Sequence, residues 1–475
     1  MAKQYKLLIG GEWRETGVSA EIRSPYTGKV VGRIPWGGAQ ELEDAIAAAE
    51  AAFRDTRALS RRRRSEMLAG IAAGIRERHG ELAELIARES GKPITLAAAE
   101  VARAVTTFTL AAEEAKRFAG EVVPIDFEER TEGYVSVAER FPIGPIAAFA
   151  PFNFPLNLVA HKLAPCLASG NTMVLKPPPQ APLTSLVLGE IVLAAGAPAG
   201  SFNVVHLEIP LAERLVADDR LKMLTFTGSA PVGWMLKTKA GKKKVVLELG
   251  GNAGAIVHKD ADVGWAAERC ATGGFGHAGQ VCIKVQRVYV HASVHDSFMS
   301  ALLRRVQTLK AGDQLDPATE VGPLIDEKAA ERVEAWVEEA RKGGAAILCG
   351  GKRNGSFVEP TVLTGTTSEM RVKREEVFGP VVTVDRYRDF ADAVAAVNDS
   401  AYGLQAGVFT HDLRLAADAF RDLEVGGVVI NDYPTLRVDN YPYGGVKDSG
   451  FGREGVRYAM EAMTELRTLV VNLRH

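Results

Sequence analysis

Five short apolar runs between Ile143 and Glu248 constrain this chain more than any other feature. They are Ile146–Ala150, Thr172–Leu175, Phe202–Val205, Met223–Phe226 and Val245–Leu247, and a longer stretch of helical character separates each from the next. Apolar runs of strand length alternating with helices predict a parallel α/β sheet. Sheets of that kind bind ligands at the carboxyl ends of their strands. Chemically useful residues are therefore expected directly after the runs, and most comply. After the first run come Pro151-Phe152-Asn153-Phe154-Pro155, and after the second Lys176-Pro177-Pro178-Pro179. After the fourth come Thr227-Gly228-Ser229, and after the fifth Glu248-Leu249-Gly250-Gly251. None of the runs leads into a GxGxxG turn, so the ordinary dinucleotide fingerprint is not what marks this sheet.

The remaining sequence adds further units. A chain of 475 residues exceeds what one hydrophobic core supports, so two or three domains are expected. Residues 1–36 read as strands and turns around Leu7-Leu8-Ile9, and residues 39–119 carry Ala, Glu, Arg and Leu at helical spacing. Arg61-Arg62-Arg63-Arg64 reads as a solvated helix start capped by Ser60, since no aromatic residues interleave. Residues 121–142 hold two strand-like pieces, Val122–Ile125 and Tyr134–Val137. The tail, Leu469–Leu473, is a strand without an obvious local partner, expected to complete a sheet in its own subunit or another. Residues 250–457 form a second α/β half with strands at Val285–Val290, Val381–Val384 and Gly426–Asn431.

Composition excludes several classes. Lys plus Arg, 57, against Asp plus Glu, 59, leaves a net charge of −2, which argues against a nucleic-acid surface. Cys166, Cys270, Cys282 and Cys349 contain no CxxC, so neither a disulfide framework nor a zinc knuckle is expected, and a reducing cytoplasm fits. His291 and His295 have an i,i+4 spacing but lack a third ligand; a helix cap is expected there and no metal. The apolar run near the N-terminus is too short for a signal peptide. The most apolar stretch, Ile143–Phe154, is short and broken by Gly144, Pro145 and Pro151, so no membrane partner is expected.

One cysteine stands out. Cys282 closes the stretch Phe275-Gly276-His277-Ala278-Gly279-Gln280-Val281-Cys282, and Glu248 lies thirty-four residues upstream. A thiol and a carboxylate in glycine-rich settings can supply a nucleophile and a base. A buried structural cysteine and a surface carboxylate are the plainer alternatives.

Taken together these pieces resemble the NAD(P)-dependent aldehyde dehydrogenase superfamily over essentially the whole chain. The motifs are Pro151-Phe152-Asn153-Phe154-Pro155, Lys176-Pro177, Phe226-Thr227-Gly228-Ser229 with Val232-Gly233, Glu248-Leu249-Gly250-Gly251, Gly279-Gln280-Val281-Cys282, Glu376-Val377-Phe378-Gly379-Pro380 and Pro442-Tyr443-Gly444-Gly445 with Lys447 and Ser449-Gly450. The resemblance implies two parallel-sheet α/β domains plus a small β oligomerisation element. Residues 1–120 and 143–248 would form the cofactor-binding domain and 249–457 the catalytic domain. Residues 121–142 and 458–475 would form the oligomerisation element of a homodimer or homotetramer. It implies Cys282 as nucleophile towards an aldehyde, Asn153 and the Cys282 backbone N–H as oxyanion donors, and Glu248 as base for the water that hydrolyses a thioester. For the cofactor it implies Lys176 at the adenosine ribose, Gly228 and Ser229 at the pyrophosphate, and Glu376 at the nicotinamide ribose. Phe378 would pack near the ring, and Phe152, Pro179 and Leu249 would be further cofactor-binding positions.

The chain also departs from the family. Many NAD-preferring relatives carry Glu three residues after the lysine, where this chain has Pro179. Losing that carboxylate removes repulsion against a 2′-phosphate, so NADP is favoured, with NAD as the alternative. His206-Leu207-Glu208 stands where relatives often carry glycines. Alignment from the motifs puts Arg103, Asn157, His161 and Arg437 in the substrate tunnel. Polar groups there disfavour a fatty aldehyde, and two arginines suit a carboxylate, sulfonate or phosphate. The flavour is similar to lactaldehyde, non-phosphorylating glyceraldehyde-3-phosphate and phosphonoacetaldehyde dehydrogenases. An ion pair of Arg103 with Glu100 at i−3, and an interface role for Arg437, are the alternatives. Rival functions are a CoA-acylating enzyme, which a retained Glu248 disfavours, a broad semialdehyde dehydrogenase, and a non-catalytic protein with this fold.

Overall fold

All five runs become neighbouring strands of one sheet in the computed structural model, which describes residues 3–474. Met1, Ala2 and His475, the ends of the terminal segments discussed above, lie outside the described residues. The strands are Pro145–Phe149, Thr172–Lys176, Phe202–Val204, Met223–Thr227 and Lys244–Glu248, paired in parallel throughout. The first four are buried almost end to end, as strands covered on both faces must be. Antiparallel strands extend the sheet to eight: Gly450–Phe451 beside Lys244–Glu248, and the hairpin of Leu7–Ile9 and Glu12–Arg14 beside Phe202–Val204.

The helical segment resolves into Ala39–Ala58, Arg61–Glu77, His79–Ser90 and Ile94–Arg117. Ser60 does cap the arginine-rich helix, its Oγ accepting from the Arg63 N–H at 3.3 Å. Ile94–Arg117 is the helix long and apolar enough by length and composition to cross a bilayer. It serves as a core helix, burying the stripe Ala97, Val101, Ala104, Phe108, Ala111 and Ala115 against the first sheet's core.

A second sheet of seven strands has the order Ala346–Cys349, Thr361–Thr364, Val381–Tyr387, Arg287–His291, Gly254–Val257, Gln405–Phe409, Gly427–Ile430, all parallel except the first. Its strands Gly254–Val257, Thr361–Thr364 and Gln405–Phe409 were not legible: each is short and bounded by glycine or polar residues. The tail strand finds its partner in its own chain. Thr464–Asn472 pairs antiparallel with Tyr134–Pro142 along its whole length, and Glu121–Val122 makes the third strand. The preceding helix, Val456–Ala462, packs on the first sheet's core through Val456 and Met460.

A buried ion pair ties these layers together behind the site. Lys92 donates to Glu100, and both side chains are almost wholly out of water. Glu100 Oε1 also accepts the N–H groups of Leu156 and Asn157 at 3.0 Å each. One carboxylate thus fixes the start of the helix Asn157–Ser169, placing negative charge at its positive end. Lys92→Met leaves that carboxylate buried without its cation and is expected to lower unfolding stability by ~3–5 kcal/mol. Denaturant titration checks this; recovery of part of the loss in Lys92→Met/Glu100→Gln would attribute it to the stranded charge.

Candidate active site

The carboxyl ends of the first sheet and the Cys282 loop enclose a cavity of about 360 Å³. Phe152 and Asn153 enter it from the end of Pro145–Phe149, Gly228 and Ser229 from the end of Met223–Thr227, and Leu249 and Gly250 from beyond Lys244–Glu248. Cys282, Glu376 and Phe378 come from the second half of the chain.

Backbone geometry explains how Cys282 gets there. His277, Ala278 and Gly279 take consecutive left-handed conformations (φ 51°, 54° and 70°), turning the chain out of the helix Val263–Phe275. A Cβ on Gly279 would lie 2.2 Å from the Gly379 carbonyl oxygen, so only glycine fits. On the facing loop, a Cβ on Gly251 would lie 2.1 Å from the carbonyl oxygen of Cys282 itself. Asn153 Nδ2 donates to the Gln280 carbonyl at 2.9 Å, which leaves its second N–H free, while its Oδ1 is buried without a partner. Burial pushes the Cys282 thiol up to about 11, opposed by the Tyr443 hydroxyl and the Arg437 charge.

Glu248 is the exception. It ends its strand but does not line the cavity. Its carboxyl is buried with neither oxygen hydrogen-bonded, and Oε1 lies where a Cβ on Gly444 would come within 3.0 Å. Burial and the nearby Glu454 carboxylate push its pKa well above the usual range, against Arg437, Lys162 and Arg453. A carboxylate so raised is a stronger base than one in water.

The other wall suits a phosphate-bearing ligand. Ser229 begins the helix Ala230–Lys239 without bonding its N–H groups, and the buried Thr227 Oγ1 has no partner. Glu376 accepts from the Gly251 N–H at 2.9 Å; burial lifts its pKa to about 7. A Cβ on Gly250 would come within 2.5 Å of Glu376 Oε2, so glycine is required there too. Phe378 has a left-handed backbone, φ 44°, and its ring meets Phe152 edge-on at 6.0 Å. Lys176 ends its strand outside this cavity, its pKa brought down to about 8 by burial, and Pro179 is exposed. His206 is buried in a stack on Trp36, ring centroids 3.8 Å apart.

Arg103, Asn157, His161 and Arg437 all line the cavity. The alternative of an Arg103–Glu100 pair does not form: Glu100 faces inward to Lys92, and Arg103 donates to Asp439 at 2.8 Å. His161 Nε2 lies 2.9 Å from the same Asp439 oxygen and 3.2 Å from Asn157 Nδ2. Burial would raise Asp439, yet bonds from His161 and Arg103 hold it well below the carboxylate range. Glu454 anchors Arg437 and Lys162, each at 2.9 Å, and despite burial those cations keep it ionised. Asp439, Glu454, Lys162 and Tyr443 were missed as functional candidates. Tyr443 and Glu454 lie inside glycine-rich stretches that could have flagged them, whereas Asp439 carried no signal.

Elsewhere, His295 starts its helix with Val294 at the cap position, so neither histidine of that pair caps it. Among the described residues no cluster of three His, Cys, Asp or Glu could hold a metal.

A family model described as the aldehyde dehydrogenase family matches residues 13–469. The 3-sulfolactaldehyde dehydrogenase of Priestia megaterium is 45% identical over 472 residues, 99% of this chain and 98% of the relative. The crystal structure of aldehyde dehydrogenase 21 from Physcomitrella patens with the reaction product succinate matches with TM-score 0.98 at 43% identity, covering 100% of this chain and 99% of the other. That of glyceraldehyde-3-phosphate dehydrogenase from Methanocaldococcus jannaschii with NADP matches at 0.92 and 38%, covering 97% and 99%.

A thiol with a pKa of about 11 is almost wholly protonated at neutral pH. Alkylation of Cys282 by iodoacetamide in the free protein is therefore expected to accelerate about tenfold per pH unit from pH 7 to 9. Peptide mass spectrometry separates it from the other cysteines; a rate already level at pH 7 would mean the thiolate is preformed.

Proposed function

This chain belongs to the aldehyde dehydrogenase family, and from that premise we propose that it oxidises a small anionic aldehyde to its carboxylate. The observation that carries the substrate class is Arg437. Its guanidinium lines the cavity and donates from one Nη to Glu454, while its Nε is buried without a partner. An unpaired buried donor on a fixed cation is completed by an anionic oxygen. Arg103 contributes a second guanidinium with only one acceptor, Asp439. An alkyl aldehyde would leave the Arg437 Nε desolvated and unsatisfied. The relatives described above concern a sulfonated aldehyde, a phosphorylated one and a dicarboxylate product, all anions.

Cys282, as thiolate, attacks the aldehyde carbon. The new oxyanion accepts from the free Asn153 N–H and the Cys282 backbone N–H, one such donor being worth ~3–4 kcal/mol. A nicotinamide held in the same cavity would supply the two-electron oxidation that turns the adduct on Cys282 into a thioester. Helix N–H groups at Gly228 and Ser229 would hold its pyrophosphate, Glu376 a ribose, and Phe152, Leu249 and Phe378 the ring's surroundings. Lys176, unbonded and without a carboxylate at Pro179, supports NADP over NAD. Once the acyl group is a thioester on Cys282, Glu248 turns from behind Gly444 to take a proton from water. The water attacks the acyl carbon, the carboxylic acid leaves, and the sulfur is released.

An aldehyde panel tests this. 3-Sulfolactaldehyde, glyceraldehyde-3-phosphate, succinate semialdehyde, lactaldehyde and hexanal are each assayed with NAD and NADP, with and without CoA. The anionic aldehydes are expected to exceed hexanal at least tenfold in kcat/KM without CoA, with NADP preferred. Preference for hexanal sinks the anion reading, and dependence on CoA sinks hydrolysis.

A homodimer or homotetramer is supported by the small sheet. Val135, Val137, Leu466, Leu469 and Val470 are exposed along it, and Thr464–Asn472 is an unpaired edge. Light scattering is expected to give a multiple of the 51.0 kDa chain, and a monomer would remove this assignment.

A further inference from the structure

We propose that the Tyr443 hydroxyl is a catalytic hydrogen-bond donor to the Cys282 sulfur, and that Arg437 strengthens that donor from the face of the ring. The inference rests on Cys282 being the nucleophile and adds a group that acts on the sulfur rather than on the oxyanion.

Three contacts carry it. Tyr443 is 2% exposed, in an apolar cluster with Val281, Ile283 and Leu404, and its hydroxyl lies 3.5 Å from Cys282 Sγ. Among the described residues that is the hydroxyl's only hydrogen bond, and the only one to the Cys282 side chain. A phenylalanine would fill the same space, so what the oxygen adds is a donor aimed at sulfur. Once the sulfur loses its proton it has nothing to donate, and the phenol must be the donor. The Arg437 guanidinium carbon sits 3.7 Å from the Tyr443 ring centroid. A cation over the ring face draws electron density from it and makes the O–H a better donor.

The arrangement is rigid. Tyr443 and Glu454 exchange two backbone hydrogen bonds, Tyr443 N–H to Glu454 C=O at 3.0 Å and the reverse at 2.7 Å. The Glu454 side chain in turn holds Arg437 at 2.9 Å. One residue therefore pins both the ring's backbone and the cation stacked on the ring. The bond serves both halves of the reaction: it stabilises the thiolate that attacks, and again the sulfur that leaves when water displaces the acyl group. It also links anion recognition at Arg437 to the reactivity of Cys282.

The charged and titratable groups facing Cys282 are Tyr443, Glu376, Arg437 and Glu248. In Tyr443→Phe only one oxygen is lost. Its iodoacetamide profile at Cys282 is expected to move up by roughly one pH unit. kcat/KM should fall about tenfold for anionic and neutral aldehydes alike, since the thiolate fraction is common to both. Melting temperature and the dissociation constant for NADP, read by fluorescence, are expected to hold. Arg437→Met keeps the hydroxyl and removes the cation; its profile should move the same way by less. An unchanged profile in Tyr443→Phe, or in Arg437→Met should the first variant fail to fold, overturns the proposal. Cys282→Ala keeps the two ideas apart: NAD(P)H production surviving in it would sink Cys282 as nucleophile. A dead Cys282→Ala with an unchanged Tyr443→Phe profile would sink only the role of Tyr443.

Discussion

The site depends on a contact that leaves no room for a side chain. Gly251 lies against the carbonyl of Cys282, and Gly250 against the Glu376 carboxylate, at distances where a Cβ would overlap its neighbour. Through these two residues the end of the first sheet's strand Lys244–Glu248 is pressed onto two loops of the second half. Gly279 does the same for the Cys282 loop against Gly379. Van der Waals repulsion is steep, so a single methyl at any of the three positions would open the seam between Cys282, Glu248 and Glu376. The glycines were legible as punctuation in the sequence; what they are for is visible only in what each one touches.

Around that seam stand two clusters of charged side chains, each built on one buried carboxylate that its cations neutralise. Asp439 holds Arg103 and His161, and Glu454 holds Arg437 and Lys162. Arg103 and Arg437 line the cavity while the carboxylates that hold them do not, which suits an anionic ligand. The same field reaches the reactive groups. Burial and then Glu454 push the pKa of Glu248 up, and burial does the same to Cys282 and Tyr443 with Arg437 opposing it. On the reading proposed above, substrate selection and activation of Cys282 are not separate modules, since both run through Arg437.

The first sheet was readable because its strands are buried on both faces and announce themselves as apolar runs. The second sheet was only partly readable, since Gly254–Val257 and Gln405–Phe409 are too short and too mixed to outweigh their glycine and polar neighbours. Asn153, Cys282 and Glu376 were each found from motifs and do meet at one cavity. Glu248 was found the same way but stands behind the wall. For Arg103 the alternative to the tunnel was a local pair with Glu100, because helical spacing is the one proximity a sequence displays. Its partner is instead Asp439, 336 residues away.

That contrast marks the division. The order of strands and helices, the glycine-rich loops after the strands, and the kinds of group available for chemistry follow from local pattern, because propensity and periodicity act over a few residues. Tertiary structure decided which charges neutralise one another, which carboxylate stays unpaired, and that among the described residues the Tyr443 hydroxyl has a sulfur as its sole partner. Those outcomes are set by desolvation and close approach between segments hundreds of residues apart, and no spacing along the chain encodes them.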